Sequence, residues 1–233
     1  MEFAEERGLI GGEKAARPKG KSGTEKAATE LGIYREFIEH IEPHVRADNS
    51  GEKEVEWNDV VFEFFMKLGK RRGCTVETNW KVQEKFNKGY FDSWRKEYQS
   101  RPHEYLADLC GWKREGNKYW LDFIVEVEWL PQRPTEDLDE DFYKLLDIKA
   151  HTKIGVGGCS LEGEKQLRRD EVGQLLDMVS RLIQNSPWET KNENYLFIFM
   201  DNFSEHGAGV SGHLLSGDGK ARRELAFHEY CSF

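Results

Sequence analysis

The sequence has 233 residues, a formal net charge of -9 at pH 7, and a hydrophobic fraction of 38%. This length and composition predict one sizeable globular core, and its apolar runs are far shorter than the roughly 18 residues that a membrane span requires. The net negative charge argues against a surface that binds phosphate indiscriminately, although a local basic groove remains compatible with it. We expect a cytoplasmic protein, because the N-terminus lacks a basic region followed by an apolar one.

The spacing of the cysteines argues against a zinc ribbon and against a disulfide-stabilised fold. Cys74, Cys110, Cys159 and Cys231 are scattered along the chain without a Cys-x-x-Cys spacing. Neither a zinc ribbon nor a disulfide framework is therefore indicated. We expect reduced cysteines that mostly serve packing.

The N-terminal region divides into two predicted parts. Residues 1–24 are rich in Gly, Lys, Glu and Ala without apolar periodicity, which predicts a mobile tail. Residues 25–50 form a predicted helical extension, whose amphipathic helix is expected to stop near Pro43. The remaining residues, 51–233, are expected to form an α/β domain that ends in a β-hairpin.

A second helix is predicted at 56–72, where apolar side chains recur at spacings of three and four and basic residues precede a C-terminal glycine. A strand at 75–80 follows it. The stretch from 81 to 103 mixes aromatic and basic side chains, and part of it is expected to be helical.

Carboxylates converge on a predicted hairpin. Two short strands, 105–112 and 121–129, flank a polar segment with a Gly-Asn pair, which favours an antiparallel connection. Alternate side chains of a strand share a face, so Glu126 and Glu128 lie together, and folding of the hairpin brings Asp108 roughly opposite Glu126. Such a cluster repels itself unless a cation or protons compensate it, which predicts a divalent-metal site. The alternative is that both glutamates lie on a solvated sheet face.

The C-terminal half alternates helices and strands. The sequence predicts a helix over about 137–149, a short strand at 154–156, a helix at 164–184 and a buried strand at 195–200. A final hairpin turns at 216–219. The order of elements predicts an α/β fold with a mixed central β-sheet flanked by helices on both faces.

In the order of these motifs, the chain resembles the restriction-endonuclease-like, or PD-(D/E)xK, nuclease superfamily. The matching elements are a helix with Glu63, a strand with Asp108 and a strand with Glu-x-Glu at 126–128, followed by a helix that packs beside the sheet. The resemblance covers roughly residues 54–200. Its main departure is Glu128, where most members carry Lys, although some type II restriction enzymes use Glu-x-Glu.

The resemblance implies a Mg²⁺ centre in which Mn²⁺ can substitute. Asp108 and Glu126 would be its carboxylate ligands, the carbonyl of Val127 would be a third ligand, and Glu128 would act on the attacking water. Elementary chemistry agrees with this set, because Mg²⁺ prefers oxygen ligands and a bound metal lowers the pKa of its water.

Two further residues are candidate additions to the site. Glu63 lies well off the apolar face of its helix, so a surface glutamate is the alternative interpretation. Lys149 belongs to Asp147-Ile148-Lys149, a literal Asp-x-Lys that is predicted on a helix instead of a strand. Lys149 or Lys153 could supply the missing lysine from elsewhere in the fold.

Basic and aromatic residues between 80 and 96 form a candidate nucleic-acid groove, with an ordinary packed helix as the alternative. The cations proposed for it are Lys81, Lys85, Lys88, Arg95 and Lys96. His40 and His44 have i, i+4 spacing, but Pro43 lies between them, so we interpret them as exposed histidines at a helix end.

The leading hypothesis from the sequence is a Mg²⁺-dependent DNA endonuclease that hydrolyses phosphodiester bonds, in a restriction or defence role. DNA is the expected partner, no membrane is expected, and a homodimer would supply two matched sites for cutting both strands. The alternative is a catalytically silent nuclease-fold protein that binds nucleic acid or a protein partner.

Overall fold

The computed structural model describes most of the chain outside the termini and several connecting segments. The described residues are 23–49, 55–78, 107–130, 144–159, 169–186, 193–200 and 208–230. Most of the predicted N-terminal tail and the whole candidate basic groove from Lys81 to Lys96 lie outside these residues.

Three long helices are described: α1 at Gly23–Asn49, α2 at Trp57–Arg71 and α3 at Arg169–Asn185. A single helical turn at 144–147 precedes the fourth strand. No helix among the described residues combines the length and apolar character needed to cross a membrane.

The predicted end of α1 at Pro43 is wrong, because the helix continues through this proline to Asn49. A proline inside a helix removes one backbone hydrogen bond and crowds the preceding turn. Here Ile41 and Val45 are both buried in the core on either side of Pro43. Burial of these side chains favours continuation of the helix over an early stop.

The strands are β1 at Thr75–Thr78, β2 at Leu109–Glu115, β3 at Lys118–Leu130, β4 at Ala150–Cys159, β5 at Asn194–Met200, β6 at Ala208–Ser216, β7 at Arg222–Glu224 and β8 at His228–Tyr230. They form one sheet in chain order, and β7 and β8 both pair with β6 at its far edge. The β3–β4 and β4–β5 pairs are parallel and the others antiparallel. The predicted mixed sheet is confirmed.

Each face of the sheet carries its own hydrophobic core. Phe123 and Val125 of β3 pack with α1 and α2, and we call this side the α1/α2 face. Ile124 of the same strand packs with Tyr195 and with the apolar side of α3, and we call this side the α3 face. Helices therefore flank the sheet on both faces, as predicted.

The β2–β3 hairpin has a two-residue turn at Gly116 and Asn117, and Gly116 has a φ of 59° that favours glycine. The ladder begins with Glu115 opposite Lys118, and its register shifts between Gly111 and Trp112. Because Gly111 pairs with Phe123 and Trp112 with Leu121, the extra residue of this bulge is Asp122.

Candidate metal centre

The end of the β2–β3 ladder brings the predicted carboxylates together. Leu109 pairs with Val125, so the next residues outward on the two strands are Asp108 and Glu126. The backbone nitrogen of Val127 donates a hydrogen bond of 2.9 Å to Oδ2 of Asp108. The structure therefore places Asp108 beside the Glu-x-Glu segment, at the position that the hairpin pattern predicts.

The bulge at Asp122 determines which residues meet at that end. A regular ladder continued from Glu115 and Lys118 would place Asp108 opposite Val125, whose side chain packs on the α1/α2 face. The additional residue moves the register by one, so Asp108 is level with Glu126 instead. Asp122 itself accepts a hydrogen bond of 2.9 Å from Lys113 and lies 3.4 Å from Arg72.

The two glutamates of β3 differ in burial. Glu126 is only 4% exposed, whereas Glu128 is partly exposed. Both lie on the α3 face, because they alternate with Val125 and Val127. Glu126 therefore does not lie on a solvated sheet face, and its carboxylate is a buried polar group that requires compensation by hydrogen bonds or a cation.

A second buried carboxylate in this part of the sheet, Glu77 of β1, was missed by the sequence analysis. Glu77 pairs with Cys110, and its Oε2 accepts a 2.8 Å hydrogen bond from the indole nitrogen of Trp112. Burial raises the pKa of the Cys110 thiol to about 12, and the charges of Glu77, Glu126 and Asp108 contribute to the rise. The alternation of Val76 with Glu77 in the strand sequence was the signal that could have identified this residue.

Glycines on β4 lie beside both glutamates of β3. The parallel register places Gly155 next to Glu126 and Gly157 next to Glu128. A Cβ atom at Gly157 would lie 3.1 Å from the ring of Phe199 on β5. The neighbouring strand therefore presents no side chain in the two rows that carry the glutamates.

The donor set suits a hard divalent cation. Asp108 and Glu126 offer carboxylate oxygens, and the N–H and C=O of a strand residue point to the same side, so the carbonyl of Val127 is turned toward Asp108 as well. Two carboxylates and one carbonyl, completed by water or phosphate oxygens, form a set that Mg²⁺ accepts. These donor types are the ones that the predicted metal prefers.

Glu63 does not join this group. It lies on α2, and its side chain is 39% exposed and forms an ion pair of 2.8 Å with Lys67. Its second neighbour is His40, whose Nε2 lies 4.0 Å from Oε2 of Glu63. Among the described residues, the one group of three or more His, Cys, Asp or Glu side chains with all ligand atoms within 4.8 Å consists of His40, His44 and Glu63.

The candidate lysines are engaged with another carboxylate. Lys149 is largely exposed and lies 3.5 Å from Glu193. Lys153 is fully buried on the α3 face, where its ammonium lies 2.7 Å from Oε2 of Glu193 and donates a 3.3 Å hydrogen bond to the hydroxyl of Tyr195. Burial lowers the pKa of Lys153, while the hydrogen bond with Glu193 acts in the opposite direction.

The tip of the β2–β3 hairpin extends beyond its neighbours. Within the described residues, β1 pairs with β2 only over 109–112 and β4 pairs with β3 only from Leu121 onward. Residues 113–120 therefore form a two-stranded ribbon, which we call the hairpin arm. The Arg114 guanidinium lies 5.2 Å from the ring centre of Tyr119, a side chain that is 62% exposed.

Comparison of the chain with protein-family models, with curated proteins and with solved structures gave no significant match.

Proposed function

We propose that this protein is a metal-dependent endonuclease that hydrolyses phosphodiester bonds of DNA. The observation that carries the proposal is the position of Asp108 beside Glu126, with the backbone of Val127 hydrogen-bonded to Asp108. Oxygen donors of this kind suit Mg²⁺ or Mn²⁺. The resemblance of the sequence to the PD-(D/E)xK nucleases assigns metal ligation to the same three residues, and it also motivates the restriction or defence role.

The acidic side chains of the proposed site have separate roles in metal binding and proton transfer. Asp108 and Glu126 would hold the metal together with the carbonyl of Val127, and the hydrogen bond from the Val127 nitrogen orients the Asp108 carboxylate. When bound, the metal would polarise the phosphodiester and lower the pKa of a coordinated water. Glu128 lies on the same face and is only partly buried, so it is the candidate base for the proton of the attacking water.

The position of the carboxylates in the sheet supports a ligand site. Glu126 and Glu128 lie in the second half of β3, where this strand runs parallel to β4. In open α/β sheets, ligands bind near the carboxyl ends of such strands. Because α3 connects β4 to the parallel strand β5, its N-terminus lies toward this end of the sheet, where the helix dipole favours an anionic group.

Side chains of the hairpin arm are suited to contact with a nucleic-acid substrate. Arg114 and Tyr119 pair across the arm, and Arg114 shares the α3 face with Trp112 and Asp108 because these residues alternate along β2. Six residues separate Arg114 from Asp108, which corresponds to about 20 Å along a strand, or about six nucleotides of DNA. A cation and an exposed aromatic ring at that distance suit the backbone and a base of the same strand.

One observation favours the alternative of a silent nuclease-fold protein that binds nucleic acid or a protein partner. Glu128 stands where most PD-(D/E)xK nucleases carry Lys, and the buried ammonium of Lys153 is engaged with Glu193 and Tyr195. A positive charge that orients the attacking water would then have to come from the substrate complex or from the metal alone.

The proposal is tested by incubating the purified protein with plasmid, linear duplex and single-stranded DNA in Mg²⁺ or Mn²⁺. Asp108→Asn and Glu126→Gln preserve shape while they remove one carboxylate each. Because loss of a metal ligand removes several kcal/mol of transition-state stabilisation, we expect metal-dependent cleavage to fall by at least about 100-fold.

The matched control is Asp147→Asn, since Asp147 is exposed and begins the literal Asp-x-Lys of the sequence. Cleavage should survive in this variant. If wild type binds Mn²⁺ or DNA but cuts none of the substrates, the silent binder replaces the endonuclease. Weaker DNA binding by Arg114→Ala would then identify Arg114 as a contact. Equal cleavage by wild type and Glu126→Gln would rule out the site.

A further inference from the structure

Two histidines of α1 and one glutamate of α2 meet at the surface contact between these helices. The ligand atoms of His40, His44 and Glu63 all lie within 4.8 Å of one another, and all three residues are partly buried. The continuation of α1 through Pro43 makes this possible, because it places His40 and His44 one helical turn apart with ring centres separated by 5.5 Å. We infer that His40, His44 and Glu63 form a binding site for a divalent transition metal of the Zn²⁺ class, which joins α1 to α2.

The donor chemistry selects this class of metal. Two imidazole nitrogens and one carboxylate oxygen suit Zn²⁺, Co²⁺ or Ni²⁺, whereas Mg²⁺ prefers oxygen ligands. A tetrahedral zinc site with three protein ligands keeps its fourth position for water. The site is therefore chemically distinct from the all-oxygen set at Asp108 and Glu126.

The distances require only a small adjustment of the side chains. Zinc bonds of about 2.0–2.1 Å in tetrahedral geometry separate two ligand atoms by about 3.4 Å. Nε2 of His40 and Oε2 of Glu63 are 4.0 Å apart. All three ligand atoms lie within 4.8 Å of one another, so each pair has to approach by about 1.4 Å or less to reach the tetrahedral separation.

Neighbouring groups orient the ligands and leave one carboxylate oxygen directed at the histidines. Lys67 lies 2.8 Å from Oε1 of Glu63, so the ion pair uses the oxygen that does not face His40. In the metal-free protein Nε2 of His40 donates a hydrogen bond of 3.2 Å to the backbone carbonyl of Val60, and a metal bound at Nε2 would replace this hydrogen bond.

The contact between α1 and α2 is already tight next to the site. Phe37 of α1 lies edge-on to Phe64 of α2 with ring centres 5.2 Å apart, and the ring of His40 lies 5.5 Å from that of Phe64. A metal held by residues of both helices would therefore reinforce an existing interface, and binding only to the folded state would raise the unfolding temperature.

The test is titration of Zn²⁺ and Co²⁺ into the untagged full chain after removal of metals with a chelator. Calorimetry should give one Zn²⁺ per chain at this site, and Co²⁺ should develop the visible absorption of a tetrahedral nitrogen–oxygen complex. Replacement of a ligand in His44→Ala or Glu63→Gln should weaken Zn²⁺ at least about tenfold, since loss of even an outer-shell partner has that effect. The increase in unfolding temperature with Zn²⁺ should disappear in both variants.

Two control variants make the result specific. His151→Ala removes an exposed histidine at the start of β4 and should bind Zn²⁺ as the wild type does. Glu126→Gln should also keep this binding, so failure of the nuclease proposal would leave the zinc result intact. If wild type shows no such binding, or if His44→Ala and Glu63→Gln both retain it, the inferred site does not exist. Circular dichroism of each variant without metal establishes that weaker binding is not caused by unfolding.

Discussion

Lys153 and Glu193 are charged side chains that the fold removes almost completely from water. The Lys153 ammonium lies 2.7 Å from Oε2 of Glu193, next to the ring of Tyr195, and donates a hydrogen bond to the carbonyl of Leu146. A buried pair of this kind contributes little net stability compared with apolar residues, but loss of one partner leaves the other charge uncompensated. The hydrogen bond from Lys153 to Leu146 connects the turn at 144–147 to the sheet.

The prediction from this pair is that Lys153→Met destabilises the protein by about 3–5 kcal/mol, because Glu193 remains buried without its closest cation. The double variant Lys153→Met/Glu193→Gln should recover most of the loss. Urea unfolding of the three proteins measures the effect. Lys149→Met is the control, since Lys149 contacts the same carboxylate from an exposed position and should change stability by less than about 1 kcal/mol. Equal losses in Lys149→Met and Lys153→Met would contradict the argument.

At the scale of single residues, the sequence predicted the relative placement of Asp108, Glu126 and Glu128 better than their burial. Strand alternation placed Glu126 and Glu128 on one face, and the hairpin placed Asp108 near them. The alternation could not distinguish the buried Glu126 from the partly exposed Glu128, because burial depends on the elements that cover each row of the sheet. The same limit concealed Glu77, which belongs to a strand distant in sequence.

At the scale of elements, the sequence predicted periodic segments well. Helix α2 was expected at 56–72 and spans Trp57–Arg71, and the buried strand expected at 195–200 is β5 at Asn194–Met200. Strand β4 was expected to be much shorter, at 154–156, yet it spans Ala150–Cys159. Its glycines and its buried lysine are poor strand formers alone, and pairing with β3 and β5 on both sides overrides that preference.

The bulge in the β2–β3 hairpin is an element that the sequence pattern did not indicate. Gly111 lies at the shift in register, and a Cβ atom there would lie 2.2 Å from Cε1 of Phe123, whose ring is fully buried. Glycine at this position allows the aromatic ring to cross the neighbouring strand. The register that aligns Asp108 with Glu126 thus depends on close packing as well as on the turn.

We predict that Gly111→Ala destabilises the protein by about 1–3 kcal/mol, since the ring of Phe123 cannot move without disturbing a closely packed core. The midpoint of chemical unfolding measures the change. Gly32→Ala is the matched control: a Cβ atom at Gly32 in α1 meets nothing within 4 Å among the described residues, so alanine should be neutral or stabilising there. A neutral Gly111→Ala would show that the strands adjust more easily than the structure indicates.

At the scale of the whole molecule, the alternation of helices and strands was sufficient to predict an α/β fold with helices on both faces. It could not supply the order of the strands or the docking of α1, because these depend on contacts between residues far apart in sequence. The hydroxyl of Tyr34 in α1 lies 2.9 Å from the carbonyl oxygens of Val210 and Ala226, which are 176 and 192 residues away in the sequence. Helix α1 is consequently part of the core that also contains α2.

The ionisable side chain of Glu30 forms a second connection between α1 and the sheet. Glu30 is 1% exposed, and its Oε1 accepts hydrogen bonds from the hydroxyl of Thr152 at 3.0 Å and from the amide of Asn194 at 3.4 Å. Its Oε2 makes no hydrogen bond with the described part of the chain. Burial raises the pKa of Glu30 above its ordinary 4.5, and the hydrogen bonds only partly oppose the rise.

The folded protein holds the Glu30 proton more tightly than the unfolded chain does, so protonation of Glu30 stabilises the fold. This stabilisation is fully present below the ordinary pKa of about 4.5, and it is lost as the pH rises through the pKa of the folded state. The free energy of unfolding of Glu30→Gln should therefore increase relative to that of wild type as the pH rises. The expected increase is roughly 1–3 kcal/mol, the range that mutational data give for burial of an incompletely hydrogen-bonded polar group. Urea unfolding between pH 4 and 8 measures this difference, with Glu39→Gln on the exposed side of α1 as the control. A difference that does not change with pH would mean that Glu30 titrates alike in both states, and that the docking of α1 does not depend on its protonation.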